Sequence, residues 1–339
     1  MKLAGLLILV LSNQGYWIGG EQGTVTIRAA VEGGLPSADL SWALLLDGVK
    51  LGEGKSHLRE DGSDLTITIT PPAPRTRVAL RWVYRLASTT DNKTLETGEL
   101  PINLFDNHIM DGLAEHLRSK AIVVWDRPAG LAKIFQSAKV PFTAIASASE
   151  LLALKPDVVL VGPDALDGQM FDQASLQSLA SAGASVMIFR QSRSERVLRY
   201  PLQDRHPPAA MQWRADHPLL AGFTADDLRA WIEPSRDLTV MQLPADEPAL
   251  EIGYYPSEVL SRQPGPIDAI LVTRTLNHGR IVLCQLHMGD WASDPRSQLF
   301  LRNAIDYLLT RPEPTPRPSE RTATTPAPHT RPVAATLQY

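Results

Sequence analysis

The sequence predicts a two-domain protein in which an all-β sandwich precedes an α/β domain built on a parallel sheet. Three observations favour this fold class. The chain has 339 residues, which is more than one hydrophobic core usually fills. Short β-rich runs separated by turn residues occupy the first third, and strands alternate with helices after about residue 108. We expect the sandwich to span residues 15–108 and the α/β domain to span residues 109–310.

The first 14 residues contain the apolar run LAGLLILVL directly after Lys2. This run has the length of the hydrophobic part of a secretory signal and is too short to span a bilayer, but no convincing small-residue cleavage site follows it. The alternative is a buried first strand of the sandwich. The compartment, cytoplasmic or extracytoplasmic, therefore stays open, as does the question of whether Met1 is a native start or begins a detached C-terminal portion of a longer protein.

The sandwich strands are predicted from short runs that are rich in β-branched and aromatic residues. They lie at residues 24–30, 40–46, 65–70 and 78–86. In the last run, VALRWVYRL, alternate residues from Val78 to Leu86 are apolar, whereas Arg81 and Arg85 occupy positions between them. One face of this strand is therefore predicted to be core and the other wet. Turns are predicted at Gly-Gly, Asp-Gly and Pro-Pro pairs between the runs.

The α/β domain is predicted from continuous apolar runs that alternate with helical patterns. The strands are expected at residues 121–125, 157–161, 185–189 and 281–286, and the helices at 130–138, 171–182 and 295–309. Strand, helix and strand in this rhythm imply parallel strands that are covered on both faces. Residues 311–339 are rich in Pro, Thr and Arg and poor in large apolar residues, so we expect a disordered tail there.

Composition excludes several classes of partner and site. The chain has 33 Lys+Arg against 37 Asp+Glu, so it carries no general attraction for nucleic acid or for an anionic membrane. Its single cysteine excludes an internal disulfide and any multi-cysteine metal site. Past the N-terminal run, no segment is long and apolar enough to be a stable membrane span.

Ligands of a parallel α/β sheet bind beyond the carboxyl ends of its strands. That rule selects side chains that follow the predicted strands, and His217 in the motif DHPLLAGF joins them. The candidate ligand-binding residues are Trp125, Asp126, Asp164, Arg190, His217, His287, Asp290 and Trp291. Arginines at 190, 193, 196, 199 and 205 are placed in a long loop, which is either solvated or binds an anionic group.

Several stretches carry a family resemblance: DVVLVGPDALDG, FDQASLQSLASAGASVMIF, DHPLLAGF, GRIVLCQLHMGDW and DPRSQLFLRNAIDYLL. Together they resemble the class I glutamine-amidotransferase-like fold in its ThuA-like branch, over residues 121–309. With a sandwich ahead, the arrangement is similar to the C-terminal accessory region of some bacterial glycoside hydrolase family 2 proteins. The resemblance implies a Rossmann-like, amidotransferase-like parallel sheet plus an all-β Ig-like sandwich, and a carbohydrate or a glycoside hydrolase as partner.

The resemblance also tests whether Cys284 is a nucleophile. In amidotransferases the nucleophilic cysteine lies in a glycine-flanked turn between a strand and a helix, where the helix terminus lowers the thiol pKa. The corresponding turn at residues 189–192, FRQS, has neither cysteine nor glycine. Cys284 lies in an apolar strand pattern, and residues three apart on a strand point to opposite faces, so it cannot pair directly with His287. A packed core cysteine is predicted.

The sequence gives little support to other catalytic sites or to a metal site. Ser192 lacks the glycines of a nucleophile elbow. A metal could be held by His217, His287 and Asp290, but no two of them have the helical spacing of metal ligands. We therefore predict no metal and no cofactor. Carboxylates that could hydrolyse a glycoside are numerous, but the sequence singles out no pair. They include Asp126, Asp164, Asp167, Glu233 and Asp290.

The sequence therefore favours a non-catalytic accessory module of carbohydrate metabolism, which binds a glycan or supports a glycoside hydrolase. In this hypothesis Trp125, Trp231 and Trp291 stack on sugars, although filling a domain interface explains them as well. One alternative is a hydrolase that uses Asp126, Asp164 or Asp290 as acid and base. Another is an oligomerisation domain, which would make the chain a homo-oligomer.

Overall fold

The computed structural model describes residues 6–12, 15–31, 37–58, 64–127, 130–166, 170–205, 210–232, 238–244, 250–254, 267–288, 291, 293–310 and 335–338. The chain divides into two compact units, Met1–Ile109 and Met110–Tyr339. No helix in the described ranges is long and apolar enough to cross a membrane.

The first unit is a sandwich of two β-sheets. Its strands are β1 (Leu6–Ser12), β2 (Tyr16–Ile18), β3 (Gly23–Val31), β4 (Ala38–Leu46), β5 (Val49–Leu58), β6 (Leu65–Ile69), β7 (Val78–Ser88) and β8 (Thr94–Phe105). One sheet has the order β1-β3-β6 and the other β2-β8-β7-β4-β5, with β2 parallel to β8 and the other pairs antiparallel. Both sheets contribute to one core, in which Ile27 of the first packs with Leu40 and Trp82 of the second. As predicted, Leu80, Trp82 and Leu86 of β7 are buried and the arginines between them are exposed.

Two aromatic side chains of the larger sheet lie over glycines of the neighbouring strands. Trp42 is paired with Gly54 and with Tyr84, and Tyr84 is paired with Gly98, so the four residues form one row across β5, β4, β7 and β8. A Cβ on Gly54 would lie 2.7 Å from Cζ2 of Trp42, and a Cβ on Gly98 would collide with the Tyr84 ring. The glycines therefore leave space that the two rings fill.

The second unit contains one large sheet with helices on both faces. Its elements are α1 (Leu113–His116), β9 (Ile122–Trp125), α2 (Gly130–Ser137), β10 (Thr143–Ile145), α3 (Ala148–Ala153), β11 (Val158–Val161), α4 (Met170–Ala182), β12 (Ser185–Ile188), β13 (Arg196–Val197), β14 (Tyr200–Arg205), β15 (Ala210–Trp213), a 3-10 turn (Pro218–Leu220), α5 (Ala225–Ile232), β16 (Leu238–Leu243), β17 (Leu250–Tyr254), β18 (Ile267–Leu276), β19 (Gly279–Cys284), α6 (Pro295–Leu309) and β20 (Ala335–Gln338). The main strand order is β10-β9-β11-β12-β19-β18-β16-β14-β13.

This sheet is mixed. The pairs between β10, β9, β11, β12 and β19 are parallel, whereas β18, β16, β14 and β13 continue the sheet in antiparallel pairs, and β15, β17 and β20 are also antiparallel. Strand residues outnumber helical residues about two to one in the described part of the chain. The predicted fold class, a Rossmann-like, amidotransferase-like parallel α/β sheet with an all-β Ig-like sandwich, is therefore wrong. The protein is mostly β, with mixed sheets.

The error comes from the segment between β12 and β19. The four strands that the sequence predicted in this unit are β9, β11, β12 and β19, and they do pair in parallel. The antiparallel strands β14, β16 and β18 lie in the intervening segment, where the sequence analysis predicted no strand. Here β18 returns directly into β19 through the two residues Asn277 and His278, with Asn277 in the left-handed region at φ 53°. A connection this short allows only an antiparallel pair. The arginine-rich segment that we placed in a loop likewise contains β13 and β14.

Helices cover both faces of the sheet. Helices α1, α2, α5 and α6 bury residues such as Phe135 and Phe300 in one core, and α3 and α4 bury residues such as Leu151 and Leu176 in the other. Of the tail, residues 311–334 and 339 lie outside the described residues, and β20 pairs with β15.

Candidate functional site

The carboxyl ends of the parallel strands are tied together by main-chain and amide hydrogen bonds. The Asp164 N–H, after β11, donates to the Arg190 carbonyl, after β12, at 2.8 Å. The Gln191 N–H donates to Oε1 of Gln285, after β19, at 3.2 Å. These bonds bring together a set of side chains that we call the polar edge: Asp164, Arg190, Ser192, Gln285 and His287.

Two buried glutamines form the base of the polar edge. Nε2 of Gln191 donates to the carbonyls of Gly162, at 2.9 Å, and Phe189, at 2.7 Å, and its Oε1 accepts from the Leu166 N–H at 3.0 Å. Gln285 is fully buried, and its Nε2 has no acceptor among the described residues. The sequence analysis missed both residues. Their only signal is an amide inside or next to an apolar strand, as in LCQL.

The carboxylate of Asp164 organises the turn after β12. Its Oδ1 accepts from the main-chain N–H of Ser192 at 2.5 Å and of Arg193 at 3.3 Å, and the Ser192 hydroxyl lies 3.0 Å from both carboxylate oxygens. Asp164 itself adopts a left-handed conformation, with φ 53°. Since the Ser192 hydroxyl donates to this carboxylate, Ser192 does not pair with a histidine base as an activated serine nucleophile would.

Asp126, after β9, caps helix α2. Its Oδ2 accepts from the N–H groups of Leu131, at 2.7 Å, and Ala132, at 3.4 Å. Its Oδ1 packs against Gly162 and has no hydrogen-bond partner in the described ranges. Burial raises the pKa of Asp126 above its ordinary value, and the two N–H donors oppose that shift.

Arg190 and His287 are the solvent-accessible groups of the polar edge that could donate to a ligand. Within the described part of the chain, neither side chain has a hydrogen-bond or ion-pair partner, and His287 is exposed to solvent. Partial burial of the ring lowers the pKa of His287 from 6.5, the positive charge of Arg190 lowers it further, and Asp164 raises it. The three side chains are therefore close enough to interact electrostatically.

The three tryptophans for which the sequence left sugar stacking and interface packing open are buried in the core. Trp125 is 1% exposed, Trp231 3% and Trp291 7%. The Trp231 indole N–H donates to Oδ2 of Asp294 at 3.2 Å, and Trp291 meets the edge of Phe189 at a ring distance of 5.0 Å. None of them offers a ring face to a ligand, so they fill the interior.

His217 lies at the opposite end of the parallel strands. Its Nδ1 accepts from the Leu219 N–H at 3.3 Å, and its ring packs on Tyr307 at 4.9 Å. The Tyr307 ring also contacts Arg280, near the start of β19. His217 thus closes the 3-10 turn and is not part of the polar edge.

Cys284 is a core residue, which confirms the sequence prediction. It is the last residue of β19, it is fully buried, and burial raises the pKa of its thiol to about 12. No group of three potential metal ligands occurs in the ranges that the structure describes. Asp290, Asp167 and Glu233 lie outside those ranges.

The chain matches no protein-family model and no curated protein. Among solved structures it is similar to a domain of the outer membrane lipoprotein Omp28 from Porphyromonas gingivalis, with 16% identity, a TM-score of 0.21, and coverage of 30% of this chain and 95% of that chain. It is also similar to a glycosyl hydrolase family 2 member from Bacteroides cellulosilyticus, with 11% identity, a TM-score of 0.22, and coverage of 56% and 26%.

A third similar structure is a family 76 glycoside hydrolase from a bovine Bacteroides thetaiotaomicron strain. It shows 10% identity and a TM-score of 0.22, with coverage of 34% of this chain and 24% of that chain. The neighbours thus include glycoside hydrolases, and no family match supports the ThuA-like branch. TM-scores this low assign neither a fold nor a function to this chain.

Proposed function

We propose that the chain is a non-catalytic accessory module of carbohydrate metabolism, and that it binds a glycan at the polar edge. The observation that carries the proposal is the combination of unpartnered donors with occupied acceptors. Arg190 and His287 have no partner among the described residues, whereas Asp164 already accepts from three donors, two main-chain N–H groups and one hydroxyl. Sugar-binding sites orient hydroxyl groups with a few convergent polar side chains of this type.

The acceptor side of the polar edge argues against catalysis. A glycoside hydrolase needs one carboxyl group as acid and a second as base or nucleophile, both facing the glycosidic bond. Asp164 is engaged by the Ser192 turn, and Oδ2 of Asp126 caps α2. A thiol with a pKa of about 12 stays protonated at neutral pH, so Cys284 is not a nucleophile there.

The test is binding of the full chain to a panel of soluble polysaccharides, by affinity electrophoresis. We expect His287→Ala to weaken the best interaction about fivefold, the worth of a typical hydrogen bond of about 1 kcal/mol. His278→Ala is the matched control, because His278 is also exposed but precedes β19 at its amino end.

Two results would contradict the proposal. One is a panel in which no polysaccharide retards the protein, or one in which both histidine variants reduce the retardation of the protein equally. The other is turnover of a chromogenic glycoside that Asp164→Asn abolishes while the protein stays folded.

A further inference from the structure

We infer that the polar edge recognises the carboxylate of an acidic sugar, so that its ligand is a uronic-acid-containing glycan. This inference rests on the proposed function and adds the charge of the ligand. The side chains at the end of β12 and just beyond β19 supply donors without acceptors, which is the complement of an anionic group.

The polar edge offers N–H donors to a ligand. The Arg190 guanidinium has five N–H groups and no acceptor, and it has no partner in the described ranges. The Gln285 amide is fully buried and supports the turn after Arg190 by accepting the Gln191 N–H at its Oε1. A sugar hydroxyl both donates and accepts, whereas a carboxylate only accepts and can take two parallel N–H bonds from one guanidinium.

The carboxylate and the guanidinium of the polar edge are engaged differently. Asp164 is the acidic group that acts on His287, and its oxygens already accept from Ser192 and Arg193. Those donors fix the carboxylate in the turn. The Arg190 guanidinium makes no such bond to a described residue, so its N–H groups are available to a ligand carboxylate.

The protonation of His287 depends on the charges around its ring. The groups that act on its ring are Arg190, which disfavours the imidazolium ion, and Asp164, which favours it. A bound carboxylate would add a second negative charge near the ring and raise the pKa of His287. By linkage, affinity for the acidic sugar increases as the pH falls through the pKa of His287, until the sugar carboxylate itself becomes protonated.

The experiment uses the full chain with four polymers: polygalacturonate, its methyl ester, a neutral β-glucan and polyglutamate. We expect the affinity for polygalacturonate to be at least about tenfold higher than that for its methyl ester, which corresponds to the loss of one charge-assisted hydrogen bond. Arg190→Gln should remove this preference. Arg118→Gln should retain it, because Arg118 precedes β9 at the opposite end of the strands, and the two substitutions change the net charge equally.

Proton NMR of the His287 ring gives a second measurement, with His287→Ala used for assignment. We expect galacturonate to raise the pKa of His287 and galactose to leave it unchanged.

The outcomes separate the two proposals. Equal binding of polygalacturonate and its ester, unaffected by Arg190→Gln, would overturn the acidic-sugar inference and leave glycan binding standing. Binding of polyglutamate as tight as that of polygalacturonate would show a carboxylate site without sugar recognition, and would overturn both the acidic-sugar inference and the proposed function. No binding to any of the four polymers would overturn the inference, whereas the broader panel decides the proposed function.

Discussion

Asp294 is a buried residue whose substitution we expect to destabilise the second unit strongly. It is the N-cap of α6, where its Oδ1 accepts from the Arg296 N–H and Nε at 2.9 Å. Its Oδ2 accepts from Nη2 of Arg296 at 2.8 Å and from the indole of Trp231. Asp294 is 5% exposed and Arg296 9%, so this is a buried ion pair.

The expected cost of Asp294→Ala follows from these contacts. Loss of a helix N-cap costs about 1 kcal/mol. Removing one partner of a buried ion pair costs about 3–5 kcal/mol, because the remaining charge stays desolvated. Both effects come from the same carboxylate and partly overlap, so we expect the free energy of unfolding to fall by about 4 kcal/mol. For a unit of this size that corresponds to a decrease in Tm of roughly 10 °C.

The assay is urea and thermal unfolding followed by circular dichroism. Asp226→Ala is the control, because Asp226 also begins a helix and pairs with Arg229, but its carboxylate is 81% exposed. It should cost no more than about 1 kcal/mol. The double variant Asp294→Ser with Arg296→Met restores a capping side chain and removes the buried charge, so it should recover most of the stability. A loss below about 1 kcal/mol in Asp294→Ala, or a double variant as unstable as the single one, would refute this reasoning.

Three further predictions test other parts of the fold. Because the pKa of Asp126 is raised above 3.8, ionising its carboxyl group lowers the stability of the fold as the pH rises from about 4 towards 7. The variant Asp126→Asn should therefore gain stability relative to the natural chain over this interval. Urea unfolding at both ends of the interval measures the difference, and a difference that stays constant would contradict the prediction. Cys284 should react with iodoacetamide only after unfolding, and rapid labelling of the folded chain would disprove its burial. Gly54→Ala should lower Tm, because the new methyl group meets the Trp42 ring. The control Gly52→Ala lies on the same strand, where the new methyl group has its nearest contact at 3.9 Å, and it should be neutral or stabilising. Equal effects of the two substitutions on Tm would argue against this packing.

The sequence predicted single elements better than it predicted the sheet. The alternation of Leu80, Trp82 and Leu86 with arginines identified β7 and its buried face correctly. Helix α4 also lies where its pattern and the following Gly183, at φ 117°, predicted it. The fold class failed because the sequence analysis predicted only the parallel strands and missed the strands before β19, among them β18, which the two-residue turn at Asn277 joins to β19 as an antiparallel pair.

The sequence likewise predicted part of the candidate site and missed the rest. Placing functional residues after strand ends predicted Asp164, Arg190 and His287 as ligand-binding candidates, and the structure brings these three together. The sequence does not reveal that the tryptophans turn inward, since an aromatic residue at a strand end serves a core or a ligand with the same local pattern. It also does not reveal the Gln191–Gln285 contact, which joins residues far apart in the chain.

The turn between β18 and β19 has a consequence for how the second unit forms. These strands are neighbours in sequence, so closing their contact costs little chain entropy, whereas each parallel pair must first bring together segments separated by a helix or more. We therefore expect this hairpin to acquire amide protection early in refolding and to provide the edge on which β12 docks. Lengthening the turn with a flexible insertion should slow assembly of the parallel strands while leaving the refolding rate of the first unit unchanged.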